Sequence, residues 1–195
     1  MSLPEQPASF AFTPDFRSRT DAYIAKYPEG RQASAVLPLL DLAQRQHGWL
    51  PRAAMDHVAE LLAMPVIRVY EVASFYTMLN TEPVGEHHVQ VCRTTPCWLR
   101  GSDDITKACE KRLDINCGER SADGKFSLME VECLGACVNA PMVQINDDFY
   151  EDLTPESAVE VLDALAKGET PQSGPQIERQ TSAPEGALTT LKETS

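Results

Sequence analysis

Four of the six cysteines in this chain fall in two tight pairs, Cys92-x4-Cys97 and Cys133-x3-Cys137, each in a segment rich in glycine, proline and small residues. Thiolates from two loops can meet at one centre when the fold brings the loops together. Residues 98 to 132 are a long enough stretch to form the unit that does so. A thiolate-only site excludes hard ions such as Mg²⁺ and Ca²⁺ and leaves iron–sulfur, zinc or copper(I). Structural zinc usually draws on C-x2-C knuckles or on cysteine with histidine, and neither pair has that spacing. The wider loops suit a rhomb of two irons and two bridging sulfides, each iron held by two thiolates. Spacing therefore favours a [2Fe-2S] cluster and leaves zinc open. A dithiol exchange role is weaker, because that chemistry typically uses C-x-x-C.

The rest of the composition narrows the setting. Hydrophobic residues make up 43% and charged residues 24%, enough for ordinary cores in one or two domains. The net charge of -12 repels a phosphate backbone and an anionic membrane surface, so nucleic acid is not an expected partner. The sequence has no apolar run of about 18 residues and no basic-then-apolar N-terminus of a signal peptide, and Glu5 and Asp15 argue against an organellar presequence. The expectation is a soluble, unexported protein whose cysteines are metal ligands or redox thiols rather than a disulfide framework.

Periodicity divides the chain. After an N-terminal extension (1–13), residues 14–80 read as a helical bundle. Its apolar stripes are Ala22, Ile24 and Ala25; Val36, Leu37, Leu39, Leu40, Leu42 and Ala43; Met55, Val58, Leu61 and Leu62; and Val69, Val72, Ala73 and Tyr76. Gly48 reads as a helix stop, and Pro51 and Pro65 as helix starts. Pro38 conflicts with an early start of the second helix, which either kinks there or begins near it.

From His87 the period becomes two. Val89 and Val91 predict a strand into Cys92, and Ser102 caps a helix bearing Ile105, Ala108, Cys109 and Leu113. Phe126, Leu128 and Val131 predict a strand into Cys133. Met142 to Ile145 and Phe149 to Leu153 flank a turn at Asn146-Asp147-Asp148, and Thr154-Pro155 opens a last helix ended by Gly168. The fold class is α+β, a helical bundle followed by a small sheet domain of thioredoxin-like layout (86–168). The tail, 169–195, is rich in proline, glutamine, serine and threonine, and should be disordered unless a partner holds it.

The segments Cys92-Arg-Thr-Thr-Pro-Cys97-Trp-Leu-Arg-Gly-Ser102 and Glu132-Cys133-Leu-Gly-Ala-Cys137-Val-Asn-Ala-Pro141, followed by Met142-Val-Gln-Ile-Asn-Asp-Asp-Phe-Tyr-Glu-Asp152, resemble the [2Fe-2S] E-subunit family of bacterial NADH:quinone oxidoreductase, respiratory complex I. The resemblance runs from about Tyr27 to Lys167 and includes Val69-Tyr-Glu-Val-Ala-Ser-Phe-Tyr-Thr-Met78. It implies that Cys92, Cys97, Cys133 and Cys137 bind a [2Fe-2S] cluster on a thioredoxin-like domain behind a helical bundle. It also implies docking on an FMN-binding flavoprotein subunit, which itself binds NADH, among other subunits of the peripheral arm of complex I. The chain would then sit on the cytoplasmic side of the bacterial inner membrane, peripheral through the complex. It would be a redox subunit with no hydride-transfer site of its own, since it carries no Gly-rich dinucleotide fingerprint. The alternatives are the equivalent small subunit of an NAD-linked formate dehydrogenase or hydrogenase, a free thioredoxin-like ferredoxin, and a structural zinc module.

Near the paired cysteines, Gly101, Gly135 and Ala136 leave backbone close to sulfur, and Trp98, Leu99, Leu134 and Val138 can exclude water. Arg93 or Arg100 either favours the reduced state or is a solvated surface charge or a salt bridge to a partner. Cys109 reads as a buried small hydrophobe and Cys117 as a free thiol in a turn. His87 and His88 point to opposite faces of a strand, and His47 and His57 have no second ligand at helical spacing. Asp147-Asp148 and Glu151-Asp152 read as a turn and its solvated flank.

Overall fold

The computed structural model describes residues 5–184, which form two compact units dividing between Val84 and Gly85. The first is helical: α1 (Pro14–Ile24), a 3-10 turn (Gln32–Ala35), α2 (Val36–His47), α3 (Arg52–Leu61) and α4 (Val66–Phe75). The stripes of α2, α3 and α4 meet in one core, with Leu39, Leu40, Ala43, Leu50, Ala54, Val58, Val69 and Ala73 all nearly inaccessible. Ala22 and Ala25 of the first stripe and Tyr76 of the last are exposed, and only Ile24 of α1's stripe packs on that core. Each buried leucine contributes about 1.5–3 kcal/mol of transfer free energy. The conflict at Pro38 resolves without a kink. The 3-10 turn runs straight into α2, so Pro38 occupies the first turn, where its missing N–H has no intrahelical acceptor to lose. Gly48 ends α2 at φ +93°, and its N–H donates to the Gln44 carbonyl at 2.6 Å. Pro51 and Pro65 stand one residue before their helices, at the N-cap.

The second unit carries β1 (His87–Cys92), α5 (Thr95–Leu99), α6 (Ser102–Leu113), β2 (Phe126–Val131), β3 (Val143–Ile145), β4 (Asp148–Glu151), α7 (Pro155–Ala166) and β5 (Gly174–Pro175). The sheet order is β2-β1-β3-β4-β5. β1 and β2 are parallel, joined by the α5–α6 crossover, and β3 and β4 form an antiparallel hairpin beside β1. Val89 and Val91 share a face by the two-residue period, and on that face Ile105 and Cys109 of α6 meet Val161 and Leu162 of α7. α7 opens on a capping box in which Thr154 Oγ1 accepts from the Ser157 N–H and Ser157 Oγ accepts from the Thr154 N–H.

Three features differ from expectation, the first being that Asp152, read as part of a solvated flank, is buried. Gly101, in the left-handed region at φ +94°, takes the cap position of α6, and its carbonyl accepts the Asp104 N–H. Ser102 is therefore the first residue inside the helix, and its hydroxyl is buried without a partner. The tail also differs through residue 184. Gly174–Pro175 pairs parallel to β4, and Arg179 forms a buried ion pair with Asp152, so this part of the tail is held by its own domain despite its composition.

Candidate metal centre

The parallel pairing of β1 and β2 decides where the cysteines lie. Cys92 is the last residue of β1 and is level with Val131, the last of β2, so both strands deliver their following loops to the same end of the sheet. After β1 the chain turns at Thr94 into α5, which carries Cys97. After β2 it reaches Cys133 two residues later, and a 3-10 turn, Cys137–Asn139, begins with the fourth cysteine. Cys92 and Cys97 are buried, packed with Ala140 and Met142, while Cys133 and Cys137 are exposed.

The sulfurs come two and two. Cys133 Sγ and Cys137 Sγ are 3.5 Å apart, and Cys97 lies close enough to Cys92 for the two thiols to shift each other. Thr94 stands near both pairs, its hydroxyl 3.5 Å from Cys92 Sγ and close enough to Cys133 to lower that thiol. As free thiols the four regulate one another. Burial pushes Cys92 up, but the Thr94 hydroxyl, the Leu134 and Thr94 N–H groups and Cys97 together bring it below the ordinary thiol value. Burial, then the hydrogen bond with Cys92 and the proximity of its charge, pushes Cys97 up to about 12, against a backbone N–H of Met142. The Gly135 N–H, the Cys137 thiol and the Thr94 hydroxyl lower Cys133. Donation to Cys133 chiefly raises Cys137, and burial and the charges of Cys133 and Cys92 add to it.

This donor set fits a two-iron centre. Each iron of such a cluster takes two terminal thiolates, and N–H groups aimed at sulfur stabilise its negative charge. Here Thr94, Leu134, Gly135 and Met142 supply those N–H groups. Among the described residues no group of three or more histidine, cysteine, aspartate or glutamate side chains is gathered as around a single metal ion.

The surroundings depart from the sequence reading in instructive ways. Of the four shielding residues, Leu134 packs on the buried cysteines, whereas Trp98, Leu99 and Val138 are 57%, 71% and 67% exposed. Arg93 pairs with Glu130 at 3.0 Å, and Arg100 Nε donates to the Ala140 carbonyl at 3.3 Å. Thr94 was not legible as a sulfur partner. Its place before Thr95-Pro96 signals a helix cap, yet its hydroxyl caps no N–H and faces sulfur instead.

The remaining residues stay apart from the centre. Cys109 lies in the core between α6 and the sheet, its thiol pushed up to about 12 chiefly by burial, and Cys117 is half-buried in the following turn. His47 and His57 pack against Phe10, and His87 against Phe126. His88 Nδ1 lies 2.7 Å from Ser127 Oγ.

Comparison with known proteins places this geometry. The profile of the thioredoxin-like [2Fe-2S] ferredoxins matches residues 20–166. The E subunit of the NADH-quinone oxidoreductase of Rickettsia bellii is 60% identical over 158 residues, covering 80% of this chain and 95% of the relative. The E 1 subunit of the NADH-quinone oxidoreductase of Rhizobium meliloti is 53% identical over 190 residues, covering 96% of this chain and 69% of the relative. Among solved structures, an NAD⁺-reducing [NiFe]-hydrogenase in the H₂-reduced state superposes with a TM-score of 0.59 at 20% identity, over 68% of this chain and 22% of that one, a likeness of fold.

Proposed function

The chain belongs to the thioredoxin-like [2Fe-2S] ferredoxin family, and from that premise we propose that it is the iron–sulfur electron-transfer subunit of an NADH:quinone oxidoreductase. The observation that carries the reading is the meeting of two cysteine pairs at one end of parallel strands, in a chain 60% identical to the E subunit of such an oxidoreductase across nearly all of that relative. Cys92, Cys97, Cys133 and Cys137 hold the cluster, two thiolates to each iron. Bound there, the cluster supplies one-electron transfer, which the side chains alone do not.

The chain's own part is to fix and insulate that centre. β1 and α5 hold the first pair out of solvent, and the loop after β2 presents the second pair at the surface, on the side from which an electron partner approaches. Thr94, Leu134, Gly135 and Met142 direct hydrogen bonds at sulfur and favour the added negative charge. FMN and NADH belong to an adjacent flavoprotein subunit, and hydride chemistry takes place there. The assembly is a multi-subunit complex with this chain on its cytoplasmic face. No helix among the described residues is long and apolar enough to cross a membrane.

Single alanine variants of all six cysteines test the ligand set, through iron, acid-labile sulfide and the dithionite-reduced EPR signal. Replacing Cys92, Cys97, Cys133 or Cys137 should leave an iron short of a ligand and abolish or alter the signal. Cys109→Ala should cost only packing, about 1 kcal/mol, and Cys117→Ala less, both with the cluster intact. A folded Cys109 or Cys117 variant without a cluster, or a paired-loop variant with an unchanged signal, overturns the assignment.

A further inference from the structure

The profile match ends at residue 166, yet the chain beyond it turns back onto the domain and reaches the cluster loop. β5 runs parallel to β4, pairing Tyr150 with Gly174 and Glu151 with Pro175, and the Gln176 N–H donates to the Glu151 carbonyl at 2.9 Å. This brings Arg179 over Asp152. Arg179 Nη1 lies 2.8 Å from Asp152 Oδ1, and the two side chains are only 7% and 6% exposed. The other carboxylate oxygen, Oδ2, accepts from Asn139 Nδ2 at 2.9 Å, and the Asp152 N–H donates to the Asn139 carbonyl at 2.8 Å. Asn139 Nδ2 also donates to the Thr181 carbonyl at 2.9 Å. Asn139 is itself buried, and it closes the 3-10 turn that Cys137 opens, its N–H donating to Ala136.

We infer that Arg179 is a positioning residue for the cluster, bracing the Cys137 arm of the site through Asp152 and Asn139. The inference rests on the reading of Cys137 as a ligand. Covering the sheet edge does not account for Arg179, because the backbone of 174–176 already does that. Burying a guanidinium and a carboxylate is costly unless each is fully bonded, so such a pair is favoured where it fixes one arrangement. Two residues of the network hold left-handed backbone, Asp152 at φ +52° and Thr181 at φ +48°. For β-branched threonine that conformation persists only where its surroundings over-determine it. Cys137 needs such a brace. It sits on a three-residue turn at the surface, whereas Cys92 and Cys97 are anchored in a strand and a helix.

The test uses the full chain carrying its cluster, as wild type, Arg179→Gln and Arg179→Lys. It measures iron release to a ferrous chelator after reduction, EPR g-values, the midpoint potential, and amide exchange of peptides spanning 133–140. Arg179→Gln should release iron about tenfold faster, the lower end of what outer-shell partners contribute to metal affinity. Its g-values and potential should shift, and faster exchange should be confined to the Cys133–Ala140 peptides and the tail. Arg179→Lys, which keeps the charge, should recover most of the difference. Wild-type release, spectrum and potential in a folded Arg179→Gln chain would overturn the inference. So would exchange that rises uniformly across the domain without lysine rescue, which marks a merely structural role. Absence of iron and labile sulfide from the wild-type chain would instead overturn the ligand reading.

Discussion

His88 shows what one buried ring does to the pH behaviour of the sheet domain. Its Nδ1 shares a hydrogen bond with Ser127 Oγ, which also accepts the Gly85 N–H at 3.0 Å, while its Nε2 is buried without a partner. Burial holds the imidazole below its ordinary value of 6.5, because the charged form loses its hydration. As pH falls, the unfolded chain takes up this proton first. Between the folded and unfolded values it binds more protons than the native state, and stability rises with pH. The contribution is complete above about pH 6.5 and is lost as pH falls from there through the folded value. Thermal midpoints of wild type and His88→Gln should therefore diverge most near neutrality and converge as pH falls below about 6.5; a gap that stays constant with pH would contradict this. Residue-scale features of this kind were poorly legible. Gly85, where a Cβ would sit 2.3 Å from the Phe126 carbonyl carbon, carries no signal in the sequence, since what forbids a side chain there is a strand about forty residues away.

Elements marked by a period, a turn or a cap were legible, the short strands β3 and β4 included, and the element without such a mark was not. α2, α3 and α4 follow the apolar stripes and their glycine and proline punctuation, and α7 begins at the expected Thr154-Pro155. Thr154→Ala should remove half of the capping box and cost about 1 kcal/mol, measured as a lower denaturation midpoint with an unchanged EPR signal. An unchanged midpoint would mean that Ser157 and Pro155 suffice to start the helix. α5, by contrast, has five residues, too few to show a period, and Ser102 was misplaced because Gly101 supplies the turn before α6. The four cysteines stand out in the sequence as a candidate set from spacing and resemblance, but the delivery of their loops to one end of the sheet depends on the parallel register of β1 and β2, which periodicity does not encode. Tail composition predicted disorder and could not reveal that Arg179 finds a carboxylate inside the domain, because composition has no term for one buried ion pair.

At the scale of the molecule, the exposed pair of cysteines and the apolar residues beside them point the same way. Trp98 follows Cys97, Leu99 follows Trp98, and Val138 follows Cys137, and all three are more than half exposed. A monomer leaves such side chains singly in solvent at little cost, but a group of them around a charged redox centre is what an interface that excludes water requires. Under the proposed function the flavoprotein subunit covers this end of the sheet domain, which both shortens the path for the electron and dries the cluster. On that reading Trp98 and Leu99 serve that contact, since both are more than half exposed in the chain by itself. A Trp98→Ser/Leu99→Ser double variant should fold, bind iron and keep the thermal midpoint of the wild type in isolation. Expressed in cells in place of the wild-type chain, it should be recovered largely free of the flavoprotein subunit, with NADH oxidation by the membrane fraction reduced in proportion. Full co-purification of the double variant with the flavoprotein would move the docking face away from the cluster loops.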